Sequence, residues 1–319
     1  MTTQKAPNIN LAVGRSCFVQ CSGCYNHFAS NPNLISNEEI LRFLTFAKGK
    51  GVSNVTYCGG DPLSRPWIVE LLSETKRLGF GIKVDTVGTP LLNDADTIFF
   101  GRNNVEKIEV SEIHGFVDQF GIPLDGADER TIALFRKGRE GLLAEQLDIL
   151  RCLTQAGCKV SINTVVTKQN ADDLIGIGSL INSVSKNASW DLFQFSPSGP
   201  FAFKSRNKFE IQDKIFSDRT GDAKHHMRTL CHQGRVSAMS SDDRANLYLL
   251  VDSDGEAWQP MCRGQKSDET PDAHFQKHVV GNIRDENCYD CVVAAVLTSH
   301  ACRIAHTSSS SQRGSSWMA

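Results

Sequence analysis

Residues 8–24 read NINLAVGRSCFVQCSGC, and both the expected architecture and the expected chemistry of the chain begin with this stretch. The apolar run at residues 8–13 predicts a first β-strand, and a cysteine-rich loop follows it directly. Cys17, Cys21 and Cys24 stand in a C-x3-C-x2-C spacing. Three thiolates this close can hold three corners of one cubane iron–sulfur cluster and leave its fourth iron open. A zinc site and three unrelated cysteines are the alternatives.

The chain up to about residue 200 alternates predicted strands and helices. Ser36 and Glu39 form a capping-box pattern that starts a helix ending near Lys50. Alternating strands and helices predict a parallel sheet with right-handed crossovers, here a partial (β/α)6 barrel over residues 1–200. In such barrels the chemistry lies at the carboxyl ends of the strands. The further strands are expected at residues 53–58, 81–87, 107–113, 158–166 and 190–196, and the further helices at 66–78, 140–156 and 171–184.

The composition is that of an ordinary globular protein. The 319 residues are 40% apolar and 22% charged, with a formal net charge of -2. Because positive charges are not in excess, we do not expect a nucleic-acid partner. No apolar run has the roughly 18 residues of a membrane span, and the N-terminus has no secretory pattern, so we expect a soluble, cytoplasmic protein without a membrane partner. In a reducing cytosol the 11 cysteines are expected to be metal ligands or catalytic groups.

The rhythm of strands and helices stops after Gly199. Residues 201–305 are predicted to form a small cysteine-rich region, with two short strands around a turn at Asp252–Gly255. We expect solvated loops at Phe201–Lys208 and around His225, His226 and His232. The segment is poor in core residues, so a metal site would help it to fold. Residues 306–319 are Ser-rich and are predicted to be disordered.

Six motifs occur in an order that resembles the radical S-adenosylmethionine (SAM) superfamily. After the cysteine loop come Cys58–Pro62, Thr86–Thr89, Leu124–Gly126 with Arg136 and Gly138, Ser161–Asn163, and Phe193–Gly199. One such glycine-containing motif alone could be a simple turn. Here all six motifs occur in the order that the family has. There are departures from the family pattern. Gly23 stands where many members have an aromatic residue, and Val87 stands in the place of the usual asparagine.

The resemblance implies the cofactors and the residues that bind them. A 4Fe–4S cluster would be held by Cys17, Cys21 and Cys24, and SAM would bind its open iron. Asp61 would accept a hydrogen bond from the SAM ammonium group. A flavodoxin- or ferredoxin-type protein would supply electrons. The residues expected to bind SAM are Gly59, Gly60, Asp61, Pro62, Thr86, Ser161, Asn163 and Ser196.

The later cysteines resemble the auxiliary-cluster extensions called SPASM and twitch domains. The similarity covers residues 231–302 and implies one second Fe–S cluster; a structural zinc site and metal-free thiols are the alternatives. Four ligands would come from Cys231, Cys262, Cys288, Cys291 and Cys302. The fifth thiol would be free, so Cys231 and Cys302 are candidate hydrogen-atom donors to a substrate radical.

The resemblance also limits the reaction. Reductive cleavage of SAM would give a 5′-deoxyadenosyl radical that abstracts a hydrogen atom from a peptide or a small natural product, such as a sugar, aminocyclitol or nucleoside. Epimerisation, dehydrogenation or crosslinking would follow. The alternatives are a glycyl-radical-enzyme activating protein and a non-enzymatic metal scaffold. His114 and Glu112, at the end of the predicted fourth strand, are candidate substrate contacts.

Overall fold

The computed structural model of the chain describes residues 7–24, 33–244, 248–261 and 277–298. The strands are β1 (Asn8–Ala12), β2 (Gln20–Cys21), β3 (Asn54–Cys58), β4 (Gly81–Asp85), β5 (Ala95–Asp96), β6 (Asn104–Val105), β7 (Gln119–Pro123), β8 (Arg136–Lys137), β9 (Val160–Val166), β10 (Ser189–Gln194), β11 (Val236–Met239), β12 (Leu250–Val251), β13 (Glu256–Pro260) and β14 (Lys277–Asn282). The helices are α1 (Asn37–Gly49), α2 (Ile68–Arg77), α3 (Val110–Ile113), α4 (Glu129–Phe135), α5 (Leu142–Gln155), α6 (Leu174–Val184), α7 (Pro200–Lys204), α8 (Arg206–Phe209), α9 (Asp213–Thr229) and α10 (Ser241–Arg244).

One large sheet forms the centre of the fold. Its strand order is β11-β10-β9-β7-β4-β3-β1-β12-β13-β14. The eight neighbours from β11 to β12 are parallel, and β13 and β14 continue the sheet in antiparallel steps. The mixed α/β architecture with a partial barrel is therefore confirmed. The boundary near residue 200 stays a prediction, although later strands extend the sheet at both of its ends.

The two faces of the sheet differ in polarity because side chains alternate along each strand. On the outer face Ile9, Leu11, Val55 and Tyr57 are fully buried within the main hydrophobic core. The opposite face of the same strands carries polar side chains that border a cavity, among them Asn8, Asn10, Asn54 and Thr56. The hydrophobic core thus lies between strands and helices, and the inner face of β1 and β3 presents polar side chains to the cavity.

The first predicted helix is confirmed with its cap. In α1, Ser36 accepts a hydrogen bond from the Glu39 backbone N–H, and the Glu39 carboxylate accepts one from the Ser36 N–H at 2.7 Å. These two bonds satisfy donors that the start of a helix otherwise leaves unpaired. The helix therefore begins one residue after its predicted cap.

The solvated loops expected at Phe201–Lys208 and at His225 and His226 are wrong, whereas His232 lies in the connection between α9 and β11. The chain forms α7, α8 and the 17-residue helix α9. In α9, Phe216, Thr220, Ala223 and Met227 follow one another at spacings of four, three and four, and all are buried. This spacing places them on one face, which packs against α6. One buried stripe of side chains is therefore enough to pack the otherwise polar helix α9 against α6.

The fourth strand lies later than predicted. Residues 107–113 contain the short helix α3, and β7 occupies the slot between β4 and β9. Val110 and Ile113, three residues apart, bury one face of a turn. His114 ends this turn, and it is exposed together with Glu112. Neither residue borders the cavity, so the expected substrate contacts are wrong.

None of the helices within the described ranges is long and apolar enough to cross a membrane. Cys262, Cys302 and the Ser-rich stretch 306–319 lie outside those ranges. The predictions made for them therefore stay predictions.

Candidate active site

The Gly-Gly-Asp motif after β3 is joined directly to the cysteine loop after β1. The Gly60 N–H donates to the Gly14 carbonyl at 2.8 Å, and the Asp61 N–H donates to the Ser16 carbonyl at 2.7 Å. A Cβ atom on Gly60 would lie 2.2 Å from that Ser16 oxygen. Only glycine therefore permits this contact between the two loops. The need for glycine that the motif indicates is here explained by backbone approaching backbone.

Cys17, Cys21 and Cys24 border one cavity of about 570 Å³ at the carboxyl edge of the sheet. Burial, followed by the charges of Asp61 and Cys21, raises the pKa of the Cys17 thiol well above its ordinary value. A metal centre takes thiols as thiolates, so binding must displace their protons. In the described ranges, no three His, Cys, Asp or Glu side chains converge on one point as ligands of a single ion do. In a cubane cluster each thiolate binds a different iron atom, so its three cysteine ligands need not converge on one point.

A two-residue ribbon forms the wall beside these cysteines. Strands β2 and β8 are antiparallel, and Cys21 lies opposite Arg136. Arg136 donates from Nη1 to Cys21 Sγ at 3.3 Å, and its Nε lies 2.6 Å from Asp125 Oδ2. Burial lowers the pKa of the guanidinium, but Asp125 and Cys21 outweigh that effect and the net shift is upward. A fixed positive charge therefore faces one of the three thiols.

Asp61 links the turns after β3 and β4. Its Oδ1 accepts from Thr86 Oγ1 at 2.7 Å and from the Leu63 N–H at 3.0 Å, and its Oδ2 accepts from the Val87 N–H at 2.6 Å. Burial nevertheless raises the pKa of the carboxyl to about 6. An ionised carboxylate has about four acceptor positions. Three are used, so one remains for a donor such as an ammonium group.

The other predicted SAM contacts divide into two groups. Gly59, Gly60, Thr86, Asn163 and Ser196 border the cavity, whereas Pro62 and Ser161 are buried without bordering it. The Asn163 Nδ2 donates to Asp85 Oδ1 at 2.9 Å. Its Oδ1 is buried and has no hydrogen-bond partner among the described residues. This oxygen is available to a bound group.

Charged residues elsewhere on the cavity wall were missed in the sequence. Lys83 lies 2.9 Å from Asp85, and Arg235 lies 2.9 Å from Asp191. All four border the cavity. Burial lowers the pKa of Lys83, but Asp85 outweighs it and the net pKa is raised. The signal was the alternation Lys83-Val84-Asp85, because polar residues on one face of a covered strand indicate a lined interior.

The structure explains the unusual glycine before Cys24. A Cβ atom on Gly23 would lie 2.7 Å from Phe195 Cε2 and 2.9 Å from Phe135 Cε2. The Phe135 and Phe195 rings meet edge to face, with centroids 6.4 Å apart. Two aromatic rings, Phe195 just after β10 and Phe135 of α4, thus fill the space beside Gly23.

The later cysteines that the structure describes, Cys231, Cys288 and Cys291, are not brought together at this cavity. Cys231 is exposed between α9 and β11, and the neighbouring His232 Nε2 lies 2.8 Å from the Ala188 carbonyl at the amino edge of β10. Cys288 and Cys291 follow β14, where Tyr289 contacts Phe43 of α1. Strands β11 and β14 are at opposite ends of the sheet.

This placement does not favour Cys231 either as a ligand of a second cluster or as a hydrogen-atom donor. The structure does not bring it to Cys288 and Cys291, and Cys231 does not border the cavity. A hydrogen donor must touch the substrate radical, whereas Cys231 lies at the amino edge of the sheet, and Cys17, Cys21 and Cys24 lie at the carboxyl edge.

Comparison with known proteins identifies a family. Residues 11–181, more than half of the chain, match the profile of the Radical SAM superfamily. An S-adenosylmethionine-dependent nucleotide dehydratase of Flammeovirga pacifica is 21% identical over 258 residues, which are 78% of this chain and 81% of that protein. An AdoMet-dependent heme synthase of Oleidesulfovibrio alaskensis is 25% identical over 261 residues, which are 79% of this chain and 63% of that protein.

Solved structures share the fold. SuiB of Streptococcus suis bound to S-adenosylmethionine superposes with a TM-score of 0.66 at 15% identity, over 90% of this chain and 65% of that one. The enzyme anSMEcpe with bound AdoMet and a peptide superposes with a TM-score of 0.61 at 13% identity, over 92% of this chain and 83% of that one. The chain belongs to the radical SAM superfamily and is a SAM-dependent enzyme of that superfamily.

Proposed function

We propose that the protein binds a 4Fe–4S cluster through Cys17, Cys21 and Cys24, binds SAM beside it, and abstracts a hydrogen atom from a small polar substrate in the barrel. One observation carries this proposal: the three cysteines and the Asp61 carboxylate border the same cavity. When bound, the cluster and SAM supply a 5′-deoxyadenosyl radical by one-electron reductive cleavage.

The residues of the chain hold and shield this chemistry. Asp61 offers its remaining acceptor position to the SAM ammonium group, and Asn163 Oδ1 accepts from a second donor of SAM or substrate. Arg136 holds Cys21 in place by its hydrogen bond to the sulfur. Phe135 and Phe195 close the wall beside Gly23 and keep water from the cluster side of the cavity.

The inner face of the sheet favours a small molecule rich in hydrogen-bonding groups. Side-chain amides and hydroxyls line it, and its Lys83–Asp85 and Arg235–Asp191 pairs are balanced in charge. A sugar, an aminocyclitol or a nucleoside can satisfy such groups on several sides at once. The nucleotide dehydratase relatives act on a related class of substrate. Epimerisation or dehydrogenation is the outcome that we propose for such a substrate.

Two other substrates remain in the proposal as alternatives. A peptide is the first, because the related fold of anSMEcpe has been solved with one bound. Crosslinking would then join the possible outcomes. A large glycyl-radical enzyme is the second, and the Lys83–Asp85 and Arg235–Asp191 pairs at the cavity favour a small polar substrate over it.

A second Fe–S cluster is a separate part of the proposal. With Cys231 at the far end of the sheet, the remaining thiols are Cys262, Cys288, Cys291 and Cys302. Four thiolates complete the ligand set of one such cluster. If Cys302 is instead free, it stays the candidate hydrogen donor. Structural zinc on the same thiols is the alternative, because zinc also takes four thiolates.

The first test is anaerobic iron and sulfide quantitation on reconstituted protein, with production of 5′-deoxyadenosine measured under dithionite. We expect about eight irons, falling to about four in the Cys17/Cys21/Cys24→Ala triple variant, with complete loss of SAM cleavage. The matched control is Cys152→Ala on α5, a cysteine that does not border the cavity. About four irons falling to none would remove the second cluster. Iron-free protein, or SAM cleavage in the triple variant, would refute the function.

A further inference from the structure

The β2–β8 ribbon contains Cys21, so its outer side is a surface close to the three cysteines. Side chains alternate across the ribbon, so Cys21 and Arg136 face the cavity while Gln20 and Lys137 face outward. Gln20 lies directly opposite Lys137, and both are exposed. A molecule that touches Lys137 is therefore separated from the cluster ligands by the thickness of one strand pair.

Two further segments surround this ribbon. The Ser205 hydroxyl, between α7 and α8, donates to the Ser22 carbonyl of the cysteine loop at 2.5 Å. On the other side, the Ile98 N–H donates to the Cys17 carbonyl at 2.9 Å. Ile98 Cδ1 would lie 2.5 Å from a Cβ on Gly138, just after β8. Residues 98–104, 134–140 and 200–210 thus meet around the cluster loop, and we call this surface the basic rim.

The basic rim is strongly positive in a chain whose overall charge is -2. Its three segments contain seven Lys and Arg residues against two carboxylates, Glu140 and Glu210. Arg136 and Arg139 are paired internally with Asp125 and Glu145. The remaining cations are Arg102, Lys137, Lys204, Arg206 and Lys208, and all except the half-buried Arg206 are exposed. Ile98, with 38% of its surface exposed, adds an apolar contact.

We propose that the basic rim is the docking surface for a small acidic electron-transfer protein, and this inference rests on the proposed function. Charge complementarity and the short path through the β2–β8 ribbon select this occupant. The reduced donor loses one electron, and the iron–sulfur centre held by Cys17, Cys21 and Cys24 gains it. Encounters of this kind bury little area and depend on electrostatic steering for their rate.

The test compares two reductants on the reconstituted enzyme. Reduced flavodoxin needs a docking surface, whereas dithionite is a small molecule that does not. In Lys137→Glu/Lys204→Glu/Lys208→Glu protein, we expect flavodoxin-driven SAM cleavage at low salt to fall about tenfold or more. The dithionite-driven rate should stay within about twofold, because none of these three side chains borders the cavity.

A matched control reverses three exposed charges elsewhere, with Lys159→Glu/Lys186→Glu/Arg228→Glu at the amino edge of the sheet and on α9. This variant should keep both rates. In the unchanged enzyme, salt should slow the flavodoxin reaction and leave the dithionite reaction unaffected. Equal loss in both triple variants, or a flavodoxin rate indifferent to salt, would overturn the docking surface. If the unchanged enzyme does not cleave SAM with dithionite, the proposed function is refuted instead.

Discussion

Replacing Arg136 by leucine tests the buried ion pair that supports the cluster loop. Asp125 is 1% exposed, and its Oδ2 accepts from Arg136 Nε at 2.6 Å while its Oδ1 accepts from the Val165 N–H at 2.7 Å. Leucine fills much of the volume but leaves the carboxylate without its cation. Removing one partner of a buried pair costs about 3–5 kcal/mol. We expect Arg136→Leu to lower the free energy of unfolding by that amount.

The assay is urea unfolding of the cluster-free chain, followed by far-ultraviolet circular dichroism in anaerobic reducing buffer. Asp125→Asn removes the charge and keeps the acceptor for Val165. The Arg136→Leu/Asp125→Asn protein should therefore regain about 2 kcal/mol relative to Arg136→Leu alone, since a neutral unpaired amide costs less than a charge. A loss below about 1 kcal/mol in Arg136→Leu, or a double variant less stable than that single variant, would refute the reasoning.

Three other predictions follow from the same structure. Gly60→Ala should abolish iron incorporation, because its Cβ would strike the backbone of the cysteine loop at 2.2 Å, while Gly14→Ala, with open space around it, should retain the iron. The pKa of Asp61 is raised to about 6, so ionisation disfavours the native state. Stability should fall by about 3 kcal/mol as pH rises from about 4 to above 6, and Asp61→Asn should flatten this difference in urea unfolding; a slope of opposite sign would contradict it. Met227→Ala should cost about 2–5 kcal/mol and exposed His225→Ala almost nothing, whereas equal small effects would contradict the packing of α9.

Local signals predicted much of the barrel. The Ser36–Glu39 capping box, the strand ending at Cys58 and the strand beginning near Val160 are all where the sequence indicated. Each of these depends on residues close together in the chain. The cysteine loop and the Gly-Gly-Asp turn meet as expected, because both follow neighbouring parallel strands.

The errors come from features that depend on distant residues. Residues 107–113 alternate as a strand would, but β7 takes the slot in the sheet and leaves them to form α3. Helix α9 has four buried residues in a polar sequence, and only its contact with α6 makes that stripe sufficient. The hydrogen bond from Arg136 to Cys21 joins residues 115 positions apart, so no local sequence pattern could predict it.

The pairing of β1 with β12 means that the central sheet cannot be completed until late in the synthesis of the chain. Asn10 and Leu250 are register partners, so one side of the first strand waits for 240 further residues to be translated. At about 5–20 residues per second that wait is roughly 12–50 s on the ribosome. During this time one edge of β1 lacks its hydrogen-bonding partner, and the cysteine loop that follows β1 belongs to a barrel that is not yet complete.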